Sequence, residues 1–349
     1  MFNEATCLKS EQKLGIVASP QFHTSHEAWL ASLLHLYKYG SFVTGISDKT
    51  SIGSHFGESE RSTQELLGTS FSITSPRNRI MHSEHRPLNI SYAIANTIWV
   101  LTGANDLEMI SFYNARGKEF SDDNLTVPSA PGKRIFTSDS GNQFERVVEK
   151  LREDCHSRRA YIQILLPSDI LYETRDVSCV ISLQFLVRDS ALCCITYMRS
   201  QSALMLIPYD IFLFTMLQET VAVSLGIEVG HYYHICGSLH YYNDEEILVK
   251  QIIESQESNR YSPLAMPPMK SASDVLREDL AQAERDIRNK LSIDIKYDID
   301  FNQYQLDSYW TELLRVMVAS MRLRNKIIIP ENDWIHISEP YRQILLSSG

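Results

Sequence analysis

The chain has 349 residues, with 43 acidic side chains against 33 basic ones and a net charge of −10. That balance disfavours a non-specific nucleic-acid binder, which needs surplus Lys and Arg against the phosphate backbone, but it leaves room for a local basic pocket. A hydrophobic content of 44% with only 14 Gly and 12 Pro supplies a large core, so a collagenous or broadly disordered chain is excluded.

The N-terminal MFNEATCLKSEQKLG has no apolar stretch of the kind a secretory signal needs, and no run approaches a membrane span of about 18 apolar residues. Six cysteines without a CxxC pair or zinc-like His spacing point to reduced thiols in a cytoplasmic protein, with no metal and no disulfide framework. In chain order, HEAWLASLLHLYKYG is amphipathic and ends at Gly40, which predicts a helix with its C-cap. SDKTSIGSHFGESERS is polar and reads as a loop. PLNISYAIANTIWVLTGANDLEMISFYN keeps helical spacing, and Gly103 splits it into two largely buried helices. GNQFERVVEKLRED predicts another, with Val147, Val148 and Leu151 on one stripe.

The period then changes. RRAYIQILLP reads as a strand, and SCVISLQFLVRDSALCCITYMRS as a hairpin turning at RDS. PYDIFLFTMLQETVAVSLG reads as a buried helix ending at Gly226, and EVGHYYHICGSLHYY returns to strand character. YSPLAMPPMKSAS is a Pro-rich joint. Beyond it, Ser273 is placed to cap a helix carrying Leu276, Leu280, Ala283 and Ile287 on one face, and a second amphipathic helix covers about Tyr309 to Arg324. These shifts divide the chain into an N-terminal segment (1–60), a central domain (61–270) and a mainly helical C-terminal extension (271–349).

Four clusters carry chemistry. Arg158 and Arg159 enter a strand as a pair; forked guanidinium donors suit phosphate oxygens, yet paired surface arginines are usually a solvated edge. Arg199 and Ser200 end a strand just before Pro208-Tyr209-Asp210 opens a helix, a phosphate-binding corner in which Asp210 also reads as a simple helix-start acid. His240 and Tyr242, two apart, share one side of a strand. Cys179 has no adjacent base, and a single cysteine in a strand-like run is more often a buried apolar residue than a nucleophile.

In order and spacing these pieces resemble the thymidylate synthase family, which includes the dCMP and CMP hydroxymethylases. The resemblance runs through SRRAYIQ, CVISLQFLV, YMRSQSALMLIPYD and SLGIEVGHYYHICGSLHYY. Upstream, IWVLTGANDLEMI looks like the family's tryptophan-bearing helix turn, and GNQFERVVEKL like the helix before the arginine pair. It covers roughly 200 residues and fades near residue 270.

The resemblance implies an α+β fold, a mixed twisted sheet layered with helices, with two sheets packing back to back in a homodimer. It implies a pyrimidine nucleoside monophosphate as substrate, with Cys179 adding to ring carbon C6 so that C5 becomes nucleophilic. Arg199 and Ser200 match the residues holding the 5′-phosphate, with Arg199 near the thiolate. Arg158 and Arg159 match a pair reaching into the partner subunit's phosphate site, and His240 and Tyr242 match the pair on the sugar 3′-hydroxyl. Arg61 is the nearest counterpart of an early phosphate-loop arginine.

Asp210 stands where thymidylate synthases carry Asn. A carboxylate there accepts from the amino group of cytosine, which points to CMP or dCMP rather than a uracil nucleotide. Other departures touch the one-carbon chemistry. The family's general-acid/base glutamate falls at Asn96, which cannot exchange a proton in that role. The aspartate that contacts the folate falls at Ser202, a nearby glycine at Leu206, the histidine after the nucleophile at Val180, and a glutamine at Met198. Residues 271–349 replace the short tail that closes the family's site. The expected reaction is hydroxymethylation at C5 with 5,10-methylenetetrahydrofolate as donor; the alternatives are a folate-independent nucleotide-modifying enzyme and a non-catalytic nucleotide-binding protein.

Overall fold

The computed structural model describes residues 19–46, 61–139, 141–172, 174–258, 264–272 and 278–347. Its strands are β1 (Gln21–Phe22), β2 (Ser41–Ile46), β3 (Arg61–Ile73), β4 (Tyr161–Gln163), β5 (Val180–Arg188), β6 (Ala191–Ser202) and β7 (Glu228–Tyr242). Its helices are α1 (Ser25–Tyr39), α2 (Ile90–Leu101), α3 (Leu107–Tyr113), α4 (Pro131–Phe136), α5 (Gln143–Glu153), α6 (Pro167–Leu171), α7 (Ile207–Leu225), α8 (Glu246–Ser258), α9 (Glu278–Ile293), α10 (Ser308–Arg324), α11 (Glu331–Trp334) and α12 (Glu339–Leu346). The expected α+β class is what is found: one mixed sheet ordered β1-β3-β7-β6-β5-β4, with β2 on β3. No described helix is long and apolar enough to cross a membrane.

Local chemistry accounts for the elements that frame the site. In α1, Thr24 Oγ1 accepts from the Glu27 amide (3.1 Å) and the Glu27 carboxylate accepts from the Thr24 amide (3.2 Å), a reciprocal cap. Gly40 ends that helix in extended backbone (φ −61°), not in the left-handed form. Gly103, at φ +73°, does end α2 as its position in the sequence suggests, and α3 restarts from the Asp106 cap. The β5–β6 hairpin turns through Asp189 and Ser190, both at positive φ, so the chain reverses in two residues. Ser273 and Leu276 lie outside the described residues, but the helix they were expected to open continues as α9 with Leu280, Ala283 and Ile287 buried.

The helices cover one face of the sheet. Along β6, Leu192, Cys194, Thr196 and Met198 are buried while Cys193, Ile195 and Tyr197 between them are half-exposed; β7 repeats the alternation. Helix α7 packs on β6 and β7 and is buried nearly all round, so its glutamate needs internal partners. Glu219 Oε1 accepts from Arg77 Nε (2.7 Å) and the Met269 amide (3.0 Å), and Oε2 accepts from Arg79 Nη2 (2.6 Å). The C-terminal residues form helices α9 to α12, and α10 packs on α2, joining the same hydrophobic core through Trp310, Leu313, Leu314 and Val316.

Candidate active site

A cavity of about 410 Å³ opens at the end of the sheet where β6 and β7 finish and β3 begins. Arg61, Cys179, Arg199, Ser200, Ser202, His240, Tyr242 and Glu245 line it from the sheet side. Arg86, Asn89 and Tyr92 come from the start of α2, Asn114, Arg116 and Phe120 from the turn after α3, Arg175 to Val177 from the approach to β5, and Met205, Leu206 and Tyr209 from the entry to α7. Arg324 reaches it from the last residue of α10.

Strand pairing sets the relation of Cys179 to Arg199. The Arg199 amide donates to the Cys179 carbonyl (2.9 Å). The guanidinium of Arg199 holds the two preceding residues: Nε donates to the Ser178 carbonyl (2.9 Å) and Nη2 to the Val177 carbonyl (2.8 Å). This leaves Nη1 for a ligand while the segment presenting Cys179 is tied down. Gly237 on β7 allows the close approach, since a Cβ there would meet the Arg199 carbonyl oxygen at 2.9 Å. Cys179 is half-buried and lines the cavity, whereas burial pushes the thiols of Cys193, Cys194 and Cys236 up, the last to about 12. A thiol held protonated in this way is a poor nucleophile.

His240 and Tyr242, projecting from the same side of β7, meet edge to face with ring centroids 5.4 Å apart. The Arg61 guanidinium sits 3.8 Å over the Tyr242 ring and donates from Nη2 to Asp244 Oδ2 (2.6 Å). The Glu245 carboxylate accepts from the Tyr242 amide (3.0 Å), and burial raises its pKa. These contacts fix the ring edges and the arginine before any ligand arrives.

Asp210, in the first turn of α7, is half-buried and follows Tyr209, which lines the cavity. Its Oδ2 accepts from Gln201 Nε2 (2.8 Å); burial pushes the carboxyl up to about 7, against the opposing effect of that bond. Arg86 is buried beside Tyr209 and Trp29, 5.4 and 5.9 Å from their ring centres, and burial lowers its pKa. It donates from Nη2 to the Met205 carbonyl (2.7 Å), while its buried Nε has no hydrogen-bond partner among the described residues.

Of the residues singled out in the sequence, Arg61, Cys179, Arg199, Ser200, His240 and Tyr242 meet in this cavity. Asp210 adjoins it through Tyr209. Asn96 is half-buried in α2, one turn beyond the lining Tyr92, and is not itself a lining residue. Arg158 and Arg159 are exposed and outside the lining. Sequence reasoning passed over Arg86, Tyr92, Arg116, Arg175 and Arg324. Only Arg86 carried a signal, as a basic residue directly before the proline and Asn cap that open α2. Among the described residues no group of three or more His, Cys, Asp or Glu side chains is placed to share a metal ion.

The fold and this constellation define a thymidylate synthase-type protein. The family profile for thymidylate synthase matches residues 46–298, and the chain belongs to that family. Its relatives include the deoxyuridylate hydroxymethyltransferases of Delftia phage PhiW-14, 28% identical over 209 residues (55% of this chain, 57% of that one), and of Bacillus phage SP01, 29% identical over 195 residues (52% and 51%). That of Pseudomonas phage M6 is 26% identical over 178 residues, half of each chain. The chain thus spans about half the length of the curated relatives it matches.

Proposed function

We propose that the protein is a transferase that hydroxymethylates C5 of a pyrimidine nucleoside monophosphate, with Cys179 as nucleophile. The observation that carries this reading is the convergence of Cys179, Arg199, Ser200, His240 and Tyr242 on one cavity from three separate stretches of chain. The Cys179 thiolate bonds to C6 and the electron pair of the 5,6 double bond moves toward C5, which is then nucleophilic. After C5 gains its one-carbon substituent, H5 leaves as a proton, water supplies the hydroxyl oxygen as the bond from that carbon to the donor nitrogen would break to release the donor, and the C6–S bond breaks as the double bond returns. Arg199 and Ser200 hold the 5′-phosphate, and His240 and Tyr242 the sugar.

The donor in this proposal is 5,10-methylenetetrahydrofolate, which when bound supplies a one-carbon unit at the formaldehyde oxidation level. The cavity fits such a group: Phe120, Tyr209 and Leu206 offer flat and apolar surface, and the unpartnered Nε of buried Arg86 offers a donor. Asn96 and Ser202 stand at the acid/base and folate-contact positions by resemblance, so proton transfer falls to other groups or to water.

For the base we propose cytosine, because Asp210 provides an acceptor for the exocyclic amino group. A second reading, uracil, is favoured by the substrate in the names of the relatives. The raised pKa of Asp210 suits either base, since a protonated carboxyl offers an acceptor to N3–H and a donor to O4 of uracil, or an acceptor to the amino group and a donor to N3 of cytosine. We further propose a homodimer through the half-exposed outer face of the sheet, where Ile195, Tyr197, Tyr233 and Ile235 lie, with Arg158 and Arg159 reaching the partner's phosphate site.

The test is proton exchange at C5, followed by NMR in D2O with CMP, dCMP, UMP and dUMP, with and without tetrahydrofolate and formaldehyde. Loss of H5 from one base that disappears in Cys179→Ala, and a hydroxymethyl signal only with folate, is the expected result. Exchange with no folate dependence removes the donor from the proposal. Binding without exchange on any of the four leaves a non-catalytic protein.

A further inference from the structure

Six arginines line the cavity, against Asp176 and Glu245 as its acids. One nucleoside monophosphate does not account for them. Arg61 is engaged by Asp244 and Tyr242, Arg86 by the Met205 carbonyl, and Arg199 by the Val177 and Ser178 carbonyls. The other three come from outside the sheet: Arg116, Arg175 and Arg324. Arg116 has a long contact to Glu119 (3.6 Å) and Arg175 a long one to the Ser121 carbonyl (3.4 Å). Arg324 has no ion pair with any described residue.

Arg324 is nonetheless held in place. Earlier in the same helix, Arg315 and Arg322 both bind Asp333, at 2.7 and 3.1 Å, and Arg322 Nη2 donates to the Tyr297 carbonyl (2.7 Å). Trp310, Leu313 and Leu314 anchor α10 in the core. The bland explanation is that a cation at a helix C-terminus is favoured by the helix dipole. Arg322, in the same turn, already meets that role, while Arg324 instead lines the cavity. It also lies beyond residue 298, where the family match stops, so this charge comes from a segment outside the matched residues.

We propose that Arg324, with Arg116 and Arg175, forms a second anion subsite of this cavity, which takes a carboxylate or phosphate group that the nucleoside monophosphate does not supply. This deepens the functional reading above and rests on it for the identity of the first ligand only. The two sources of such a group are the carboxylates of a folate-type donor and the further phosphates of a nucleoside di- or triphosphate.

The experiment is calorimetric titration of the full chain and its Arg324→Gln and Arg324→Glu variants, at low and high salt. One arm titrates tetrahydrofolate with saturating nucleoside monophosphate; the other compares the mono-, di- and triphosphate of the same nucleoside. Arg324→Glu is expected to weaken one arm by about tenfold or more, the scale of one charge-assisted contact, and Arg324→Gln by less. Affinity for the monophosphate alone should move by less than about twofold. Loss in the folate arm assigns the subsite to a carboxylate, and loss in the phosphate arm to a longer phosphate chain. No change in either arm, or an equal loss for the monophosphate, overturns the inference. Neither arm depends on Cys179 chemistry, so a failure of the exchange experiment would leave this comparison readable.

Discussion

Arg199→Lys keeps a positive charge at the phosphate corner and removes the geometry that orders the nucleophile. The guanidinium of Arg199 uses one nitrogen on the Ser178 carbonyl (2.9 Å) and another on the Val177 carbonyl (2.8 Å), leaving Nη1 for an anion. An ammonium on a flexible stem cannot span both carbonyls and the phosphate together. A hydrogen bond from a charged donor contributes about 1.5–3 kcal/mol, and the exposure of Arg199 puts the one bond that lysine cannot keep near the lower end, about 2 kcal/mol. Because these bonds exist before substrate arrives, losing one lets residues 177–179 open in the free protein, and binding must then restore the order. About 2 kcal/mol corresponds to a fall of roughly 30-fold in kcat/KM. The assay is H5 exchange alongside the rate of Cys179 alkylation by iodoacetamide in the absence of any nucleotide. Exchange should fall, and the alkylation rate should change even with no ligand present. An Arg199→Lys protein with unchanged kcat/KM and unchanged alkylation would refute the idea that Arg199 positions the nucleophile.

Two further outcomes follow from carboxyls with shifted pKa values. Glu219→Gln leaves the buried guanidinium of Arg79 without its counter-charge, and urea unfolding should show a loss of about 3–5 kcal/mol. Burial alone would raise the Glu219 pKa, but Arg79 and Arg77 hold it below the ordinary value; its contribution is therefore present above the unfolded pKa and lost as pH falls through the folded one, so the variant should flatten the acid limb of the stability curve. Asp210 has the opposite sign. Its folded pKa of about 7 lies above the unfolded 3.8, so the native state holds the extra proton between them, and stability falls as pH rises across that window. Asp210→Asn should remove that slope in thermal melts from pH 4 to 8, and wild-type melts with no slope to begin with would reject a protonated Asp210.

The strongest periodicities were legible without coordinates. EVGHYYHICGSLHYY coincides with β7 at Glu228–Tyr242, and the apolar run after Pro208 is α7, ended by Gly226 in the left-handed conformation. The strand expected over RRAYIQILLP shrank to Tyr161–Gln163, because pairing with β5 covers only Ser182 to Gln184. Strand β3 gave no signal: RSTQELLGTSFSI interrupts its polar start with Leu66, Leu67 and Gly68, and becomes continuously buried only at its far end. Its strand character comes from long pairing with β7, which no local pattern displays.

The ordered motifs from Arg158 to Tyr242 determined the family, because residue type and spacing along one strand or helix survive in the sequence. The same residues gave the candidate nucleophile and much of the sheet-side lining. Only the tertiary structure decided that Arg86, Arg116, Arg175 and Arg324 share one cavity with Cys179, and that Arg158 and Arg159 do not. Those four arginines lie on separate loops and helix ends, with no common period, and they converge because α2, α7 and α10 pack into one core. Periodicity records which face of an element is buried; it does not record what the far end of another element brings to meet it.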